Sequence, residues 1–149
     1  MSFIWSLVLF VHILAATFWV GGQLMLALVV LPLVRRIARP ELVSQLATLS
    51  GRRFAILTNF VLFPTLVITG VLFAWHDGVR FSNLTSTSFG HVLVVKVILV
   101  GVVFTLASAH GFAARRLSRH RARTLALVTM SLSVLIVLLA AALAVLPGP

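Results

Sequence analysis

Four long runs of apolar residues, separated by short polar segments, dominate the chain. The runs cover residues 3–34, 54–75, 91–114 and 124–146. A helix of about 20 apolar residues is long enough to cross a hydrocarbon core about 30 Å thick. The pattern therefore predicts an all-α integral membrane protein, a four-helix bundle that forms one domain over residues 1–149.

The first polar connection carries signals for an additional helix. Pro40 and Glu41 are typical of a helix start, and Leu42, Leu46 and Leu49 fall on one face of the helix that follows. This spacing predicts a short amphipathic helix that lies at the membrane interface between the first two spans.

Composition excludes a water-soluble globule. Hydrophobic residues make up 61% of the chain and charged residues 9%, whereas a soluble domain has about 25% charged residues. The absence of cysteine excludes disulfides, thiolate metal sites, iron–sulfur clusters and thiol catalysis. Hydrolytic catalysis is not expected, because the spans hold no carboxylate pair and no Ser–His–Asp set at matching depths.

The charged residues predict an orientation. The chain has twelve basic and two acidic residues. The first and third connections are rich in arginine, whereas the second contains only Arg80 and Asp77. By the positive-inside rule, the first and third connections are cytoplasmic and both termini face the outer, periplasmic side. We therefore expect a bacterial inner-membrane protein whose arginines face anionic lipids, with no nucleic-acid partner.

Three histidines are predicted to share one layer near the outer interface. At 1.5 Å per residue, His12 lies roughly 34 Å from Arg35, and His76 lies roughly 34 Å from Arg53. The same count places His91 roughly 36 Å from Arg115 in the third connection. Ionisable residues within spans mark functional sites by default, so this layer is the candidate metal or cofactor site.

The remaining histidines lie near the arginine-rich side. His110 is only roughly 7 Å from Arg115, too far from His12 to share a ligand with it. It is a candidate for a second, inner site. His120 falls in the basic third connection and is expected to be solvated.

One face of the first span contains His12, Trp19 and Gln23 together with alanine and glycine. The helical spacing of these residues predicts a face directed into the bundle, with room for a flat ligand beside the histidine. Lys96 lies within the third span, and no span contains a carboxylate that could pair with it. It is expected to reach outward, pair with Asp77, or meet an acidic ligand group such as a haem propionate.

Two stretches resemble the copper-resistance protein D (CopD) domain. The first runs from His12 to Gly22 and is followed by Leu31-Pro32 and Arg35-Arg36; the second runs from Ser88 to Lys96. The Thr69-Gly70 pair and the apolar last helix ending at Pro147 also fit this family. The resemblance covers nearly the whole chain and implies a four-helix membrane unit connected with copper uptake.

The same opening, together with the lysine of the third span, is similar to the HemJ-type protoporphyrinogen oxidases. These are small four-helix membrane proteins that bind haem b. By this likeness His12 corresponds to the histidine ligand and Lys96 to the essential lysine. The chain departs from this pattern, because it has no tyrosine and Leu33 follows Pro32. It also lacks the acidic residue that CopD-like chains often carry early in the last helix.

Three functions therefore stay open. The first is a haem-b protein, a membrane cytochrome or an oxidoreductase, with His12 and either His76 or His91 as axial ligands and Lys96 at a propionate. Its electron partner would be a quinone or a membrane redox protein. The second is a copper site built from His12, His76 and His91. The third is a cofactor-free subunit of a larger complex or a homo-oligomer.

Overall fold

The computed structural model describes residues 3–80, 84–113 and 119–146. Within these ranges the chain is helical apart from short turns, and they contain no strand. The prediction of an all-α fold is confirmed. The helices are α1 (Phe3–Met25), α2 (Leu31–Ile37), α3 (Pro40–Leu57), α4 (Phe63–His76), α5 (Ser88–Ala113) and α6 (Arg119–Val145).

Four helical stretches are long and apolar enough to cross a membrane, which supports the predicted integral membrane protein. The first span is Phe3–Ile37, with 35 residues, and the second is Pro40–His76, with 37 residues. The third and fourth spans are Ser88–Ala107 and Arg123–Val145. Because a bilayer offers no water to backbone polar groups, such apolar segments form helices whose hydrogen bonds are internal.

The first two spans each contain a wider, π-helical turn. These turns lie at Leu26–Val30 and Thr58–Leu62. Each begins six residues before a proline, Pro32 or Pro64. The peptide N–H after each turn donates to the carbonyl five residues earlier. Proline has no N–H and crowds the preceding turn, so a wider turn accommodates it inside a long helix.

The bundle core lies midway along the spans, where α1 packs against α4 and α6, and α5 packs against α6. Ser133 of α6 is fully buried, and its hydroxyl lies 3.3 Å from the amide oxygen of Gln23 on α1. Helix association in lipid depends on close packing and on interhelical hydrogen bonds of this kind. The buried apolar residues are Ala15, Trp19, Val20, Leu62, Val103 and Ile136.

The first connection is a two-helix hairpin, residues 26–51. A helix does begin at Pro40, as predicted. The prediction of a separate interfacial helix is wrong, because α3 continues through the second π-helical turn into α4. No residue of α2 or α3 is buried. Among the described helices, α2 packs closely only on α3 and on the turn that precedes it.

A contact between Gly22 and Phe54 fixes the register of the first two spans. A Cβ atom at Gly22 would lie 2.5 Å from Cε2 of Phe54. Arg53 is therefore level with Gln23 and not with Arg35. Since twelve residues separate Gln23 from Arg35, the two arginines differ in depth by about 18 Å. They do not mark a common membrane boundary.

Candidate functional site

The site is built around His12, which joins α1 to α4. Its Nδ1 atom lies 2.7 Å from the hydroxyl oxygen of Thr69. The Thr69 hydroxyl is buried and lies 2.6 Å from the carbonyl oxygen of Thr65, one turn earlier in α4. The two spans are thus connected by two hydrogen bonds in the half of the bundle nearer Trp5 and His76, and "outward" below means toward that end.

These two hydrogen bonds determine which imidazole nitrogen of His12 carries the proton. A threonine hydroxyl has one hydrogen, and a carbonyl oxygen can only accept. The hydroxyl of Thr69 therefore donates to Thr65 and accepts from the Nδ1–H group of His12. The Nε2 atom is left with its lone pair, the arrangement found in histidine ligands whose other nitrogen is held by a second hydrogen bond.

Gly70 forms the surface beside the His12 ring. A Cβ atom at this position would lie 3.5 Å from Cε1 of His12, an ordinary van der Waals separation. A methyl group therefore fits, whereas a larger side chain would press against the ring. The glycine keeps the imidazole in place without crowding it.

Lys96 is the second ionisable residue near the level of His12. It is half-buried on α5 and lies near enough to His12 for the two side chains to interact electrostatically. Within residues 3–80, 84–113 and 119–146 the structure shows no ion pair to Lys96, and Asp77 is exposed at the end of α4. A cation placed in a span without a counter-ion is suited to an anionic ligand group.

α4 and α5 meet at the bundle core. Leu66 of α4 and Leu99 of α5 both pack against the buried cluster that includes Val103 of α5. The two sides meet through stacked rings of Phe63 and Phe104, whose centroids are 4.0 Å apart. Thr69 lies about 9 Å outward from Phe63, and Lys96 about 12 Å outward from Phe104. Thr69 and Lys96 therefore lie farther toward the Trp5 end of the bundle than this aromatic pair.

His76 does not lie beside His12. Its ring stacks on Trp5 with a centroid separation of 3.9 Å and an angle of 15°. Trp5 precedes His12 by seven residues and His76 follows Thr69 by seven, so both helices place His76 about 10 Å farther outward. The predicted common layer is wrong for this pair, because Arg35 and Arg53 lie at different depths.

His91 is also displaced outward. It is exposed and precedes Lys96 by five residues, about 7.5 Å along α5. Among the described residues no three histidine, aspartate or glutamate side chains are grouped closely enough to hold a metal ion. The three-histidine copper site therefore has no support in this arrangement, and the roles assigned to His76 and His91 stay predictions.

The other predicted residues on α1 have structural contacts. Trp19 is buried in the bundle core, and Gln23 contacts Ser133. The space expected beside His12 on its own helix is filled, because Ala15 is buried and Phe54 covers Gly22. The predicted inner site at His110 and the solvated His120 involve side chains outside the described part of the structure.

Sequence reasoning missed Thr69 as the partner of His12 and Gly70 as its neighbour. The available signal was the spacing of Thr65 and Thr69, two threonines one turn apart that follow Pro64. Polar residues on the same face of a span indicate a direction toward protein and away from lipid. Without the register of α1 and α4, that face could not be matched with His12.

The chain is similar to an uncharacterized protein of Aquifex aeolicus (strain VF5), with 31% identity over 141 residues. The alignment covers 93% of this chain and 94% of the Aquifex protein, so it extends into all four spans. No protein-family model matches the chain. No solved structure matches it. The resemblances to CopD and to the HemJ-type enzymes stay predictions.

Proposed function

This chain belongs to the same family as the Aquifex aeolicus protein, and we propose that it binds haem b in the membrane with His12 as an axial ligand. The observation that carries the proposal is the chain of hydrogen bonds from His12 through Thr69 to the Thr65 carbonyl. It holds the Nε2 lone pair in a fixed direction. Neutral imidazole with the other nitrogen hydrogen-bonded is a typical haem ligand.

The residue types near His12 favour a porphyrin over a bare metal ion. Lys96 is close enough to His12 to act on it electrostatically, and the stacked rings of Phe63 and Phe104 provide apolar surface between α4 and α5. A porphyrin has an apolar body and acidic propionates. In this assignment Lys96 pairs with a propionate, which compensates both buried charges.

His12 is the single histidine that the described structure places at this level. His76 and His91 both lie farther outward, so we assign neither to the second axial position. His12 would then be the one histidine of the described residues that holds the haem. When bound, the haem supplies one-electron chemistry, and the protein residues fix its position and charge; its redox partner is a quinone or a membrane protein.

The arginines support an orientation and a location. Arg52, Arg53 and Arg123 are exposed on the side of the bundle opposite Trp5 and His76. With the positive-inside rule this side is cytoplasmic and both chain ends face outward, as in a bacterial inner membrane. Anionic lipid headgroups are the partners of these arginines. The haem then lies nearer the outer face.

Haem retention by matched variants tests this function. His12→Ala is expected to abolish haem binding in the purified chain, because it removes the axial ligand. His91→Ala is the control, since His91 is exposed and about 7.5 Å farther outward. Equal haem content in the two variants would refute the assignment, and a folded wild-type chain without haem would favour a cofactor-free subunit.

A further inference from the structure

Thr58 has a buried hydroxyl group without a hydrogen-bond partner. The residue is 7% exposed, and in the described part of the chain its Oγ1 atom forms no hydrogen bond. It begins the second π-helical turn, midway along the second span. A buried hydroxyl that stays unpaired costs the full free energy of removing it from water. Such a group in a folded core indicates a bound partner.

Six other described hydroxyl groups are satisfied within their own helix. Each donates to the carbonyl oxygen four residues earlier, at distances of 2.6–2.9 Å. The Thr58 hydroxyl forms no such bond, so it is directed at something other than its own helix. The six residues are Thr48, Thr65, Thr69, Thr105, Thr129 and Ser133.

Gln23 carries an incompletely paired amide on the first span. The residue is half-buried, and its carboxamide lies 3.3 Å from the hydroxyl oxygen of Ser133. The Ser133 hydroxyl is closer to the Thr129 carbonyl oxygen, at 2.9 Å, and donates its one hydrogen there. It therefore accepts from the NH₂ group of Gln23, since a half-turn of a carboxamide interchanges its nitrogen and its oxygen. The amide oxygen of Gln23 then has the capacity to accept a further hydrogen bond.

Thr58 and Gln23 lie at neighbouring levels of the bundle. Both are eleven residues from the contact of His12 with Thr69 (12 to 23 and 69 to 58), which places them at one level. Counted from the contact that fixes the register of the first two spans, Thr58 is about 7.5 Å farther outward. Side chains lean toward the N-terminus of their own helix, which reduces this offset because the two spans are antiparallel. The two groups form no direct hydrogen bond and are near enough for one bridging molecule.

The surroundings of these groups favour a small neutral molecule. This level of the bundle belongs to the buried apolar core, which includes Trp19 and Leu62. The acidic residues of the chain, Glu41 and Asp77, are more than about 25 Å along the helix from the hydroxyl. A cation would therefore be buried here without an opposite charge. Water both donates and accepts hydrogen bonds, and it is the usual partner of buried polar groups that lack one.

We propose that one water molecule is bound between the Thr58 hydroxyl and the Gln23 amide, midway along the spans. The hydroxyl donates to the water, and the water donates to the amide oxygen of Gln23. Through this amide the link reaches Ser133 on α6, which among the described helices packs closely on α1 and α5 and not on the second span. The water thus connects the second span with the fourth. The proposal does not depend on haem binding at His12.

Methyl NMR of the detergent-solubilised wild-type chain, labelled at its threonine methyl groups, tests the site directly. We expect a nuclear Overhauser cross-peak between the Thr58 methyl group and a long-lived water molecule. Thr69 is the matched control, because it is also 7% exposed but its hydroxyl is paired with His12 and Thr65. We expect no such cross-peak at Thr69. The absence of the cross-peak at Thr58, or equal cross-peaks at both threonines, would overturn the proposal.

A double-mutant cycle tests whether Gln23 is the second partner of the water. Thr58→Val removes the hydroxyl and keeps the shape of the side chain. It is expected to raise the unfolding equilibrium constant about fivefold, the usual effect of losing one hydrogen bond. Gln23→Met removes the amide at similar size. In this background Thr58→Val should no longer destabilise the fold, because the link is already broken. Denaturant unfolding in detergent measures all four chains.

Each other outcome overturns the proposal. Stabilisation by Thr58→Val would show that the hydroxyl is dry and unpaired, and an undiminished loss in the Gln23→Met background would show a different partner. Coupling of the two variants without a cross-peak to water would show a direct hydrogen bond between the side chains. Wild-type stability that falls when choline replaces sodium, with no such change in Thr58→Val, would indicate a bound cation. The NMR measurement on the wild type decides the question if a variant fails to fold.

Discussion

The Nδ1 atom of His12 lies 2.7 Å from the hydroxyl oxygen of Thr69, and this contact joins the first two spans at the candidate site. Because the same hydroxyl donates to the Thr65 carbonyl, the imidazole is held as its Nδ1–H tautomer. A histidine in a membrane span is costly unless it is hydrogen-bonded. Here the hydrogen bond satisfies Nδ1 of His12 and fixes the direction of the Nε2 lone pair.

Replacing Thr69 by valine removes the acceptor of the His12 proton and keeps the size of the side chain. Haem affinity is expected to fall about 10- to 100-fold, the usual effect of losing a hydrogen bond behind a ligand. Haem titration of the detergent-solubilised apoprotein measures the change. Thr69→Ser keeps the hydroxyl and should bind as wild type; equal loss in both variants would show that the hydroxyl is not the cause.

The surface beside the His12 ring predicts a size limit at Gly70. Gly70→Ala should retain haem, because its Cβ would be 3.5 Å from Cε1 of His12. Gly70→Leu should lose haem, because the longer side chain displaces the imidazole. Haem content and thermal unfolding are measured together, and the account requires Gly70→Leu to lose haem while the helices stay folded.

The sequence predicted the four spans because apolar length alone determines them, and it identified His12 and Lys96 because ionisable residues inside a span are conspicuous. It failed on depth. Counting from Arg35 and Arg53 assumed a common boundary, whereas the contact of Gly22 with Phe54 separates the two arginines by about 18 Å. Which residues face each other across two helices depends on register, and apolar periodicity does not encode register.

The position of Lys96 predicts an electrostatic effect on the bound haem. Lys96→Met removes the positive charge beside the propionate and is expected to lower the midpoint potential by on the order of 60 mV, which is about tenfold in a one-electron equilibrium. A spectroelectrochemical titration measures this shift. Lys96→Arg retains the charge and should stay close to the wild-type potential; an unchanged potential in Lys96→Met would exclude the propionate pairing.

The register of the first two spans can be tested independently of any cofactor. Gly22→Ala would place a methyl group 2.5 Å from the Phe54 ring and is expected to destabilise the fold by about 1–3 kcal/mol. Denaturant unfolding in detergent measures this loss. Gly22→Ala/Phe54→Leu should recover part of the stability, because the smaller side chain vacates the contact. No recovery would argue against the direct packing of these residues.

Coordination of the haem by His12 alone is tested by iron quantification and visible spectra of the purified wild-type chain. We expect stoichiometric iron, a high-spin reduced spectrum and a shift of the Soret band when carbon monoxide is added, because no second histidine lies at the level of His12 in the described structure. A low-spin reduced spectrum unaffected by carbon monoxide would contradict coordination by His12 alone. The absence of haem after expression with haem available would contradict the proposed function itself.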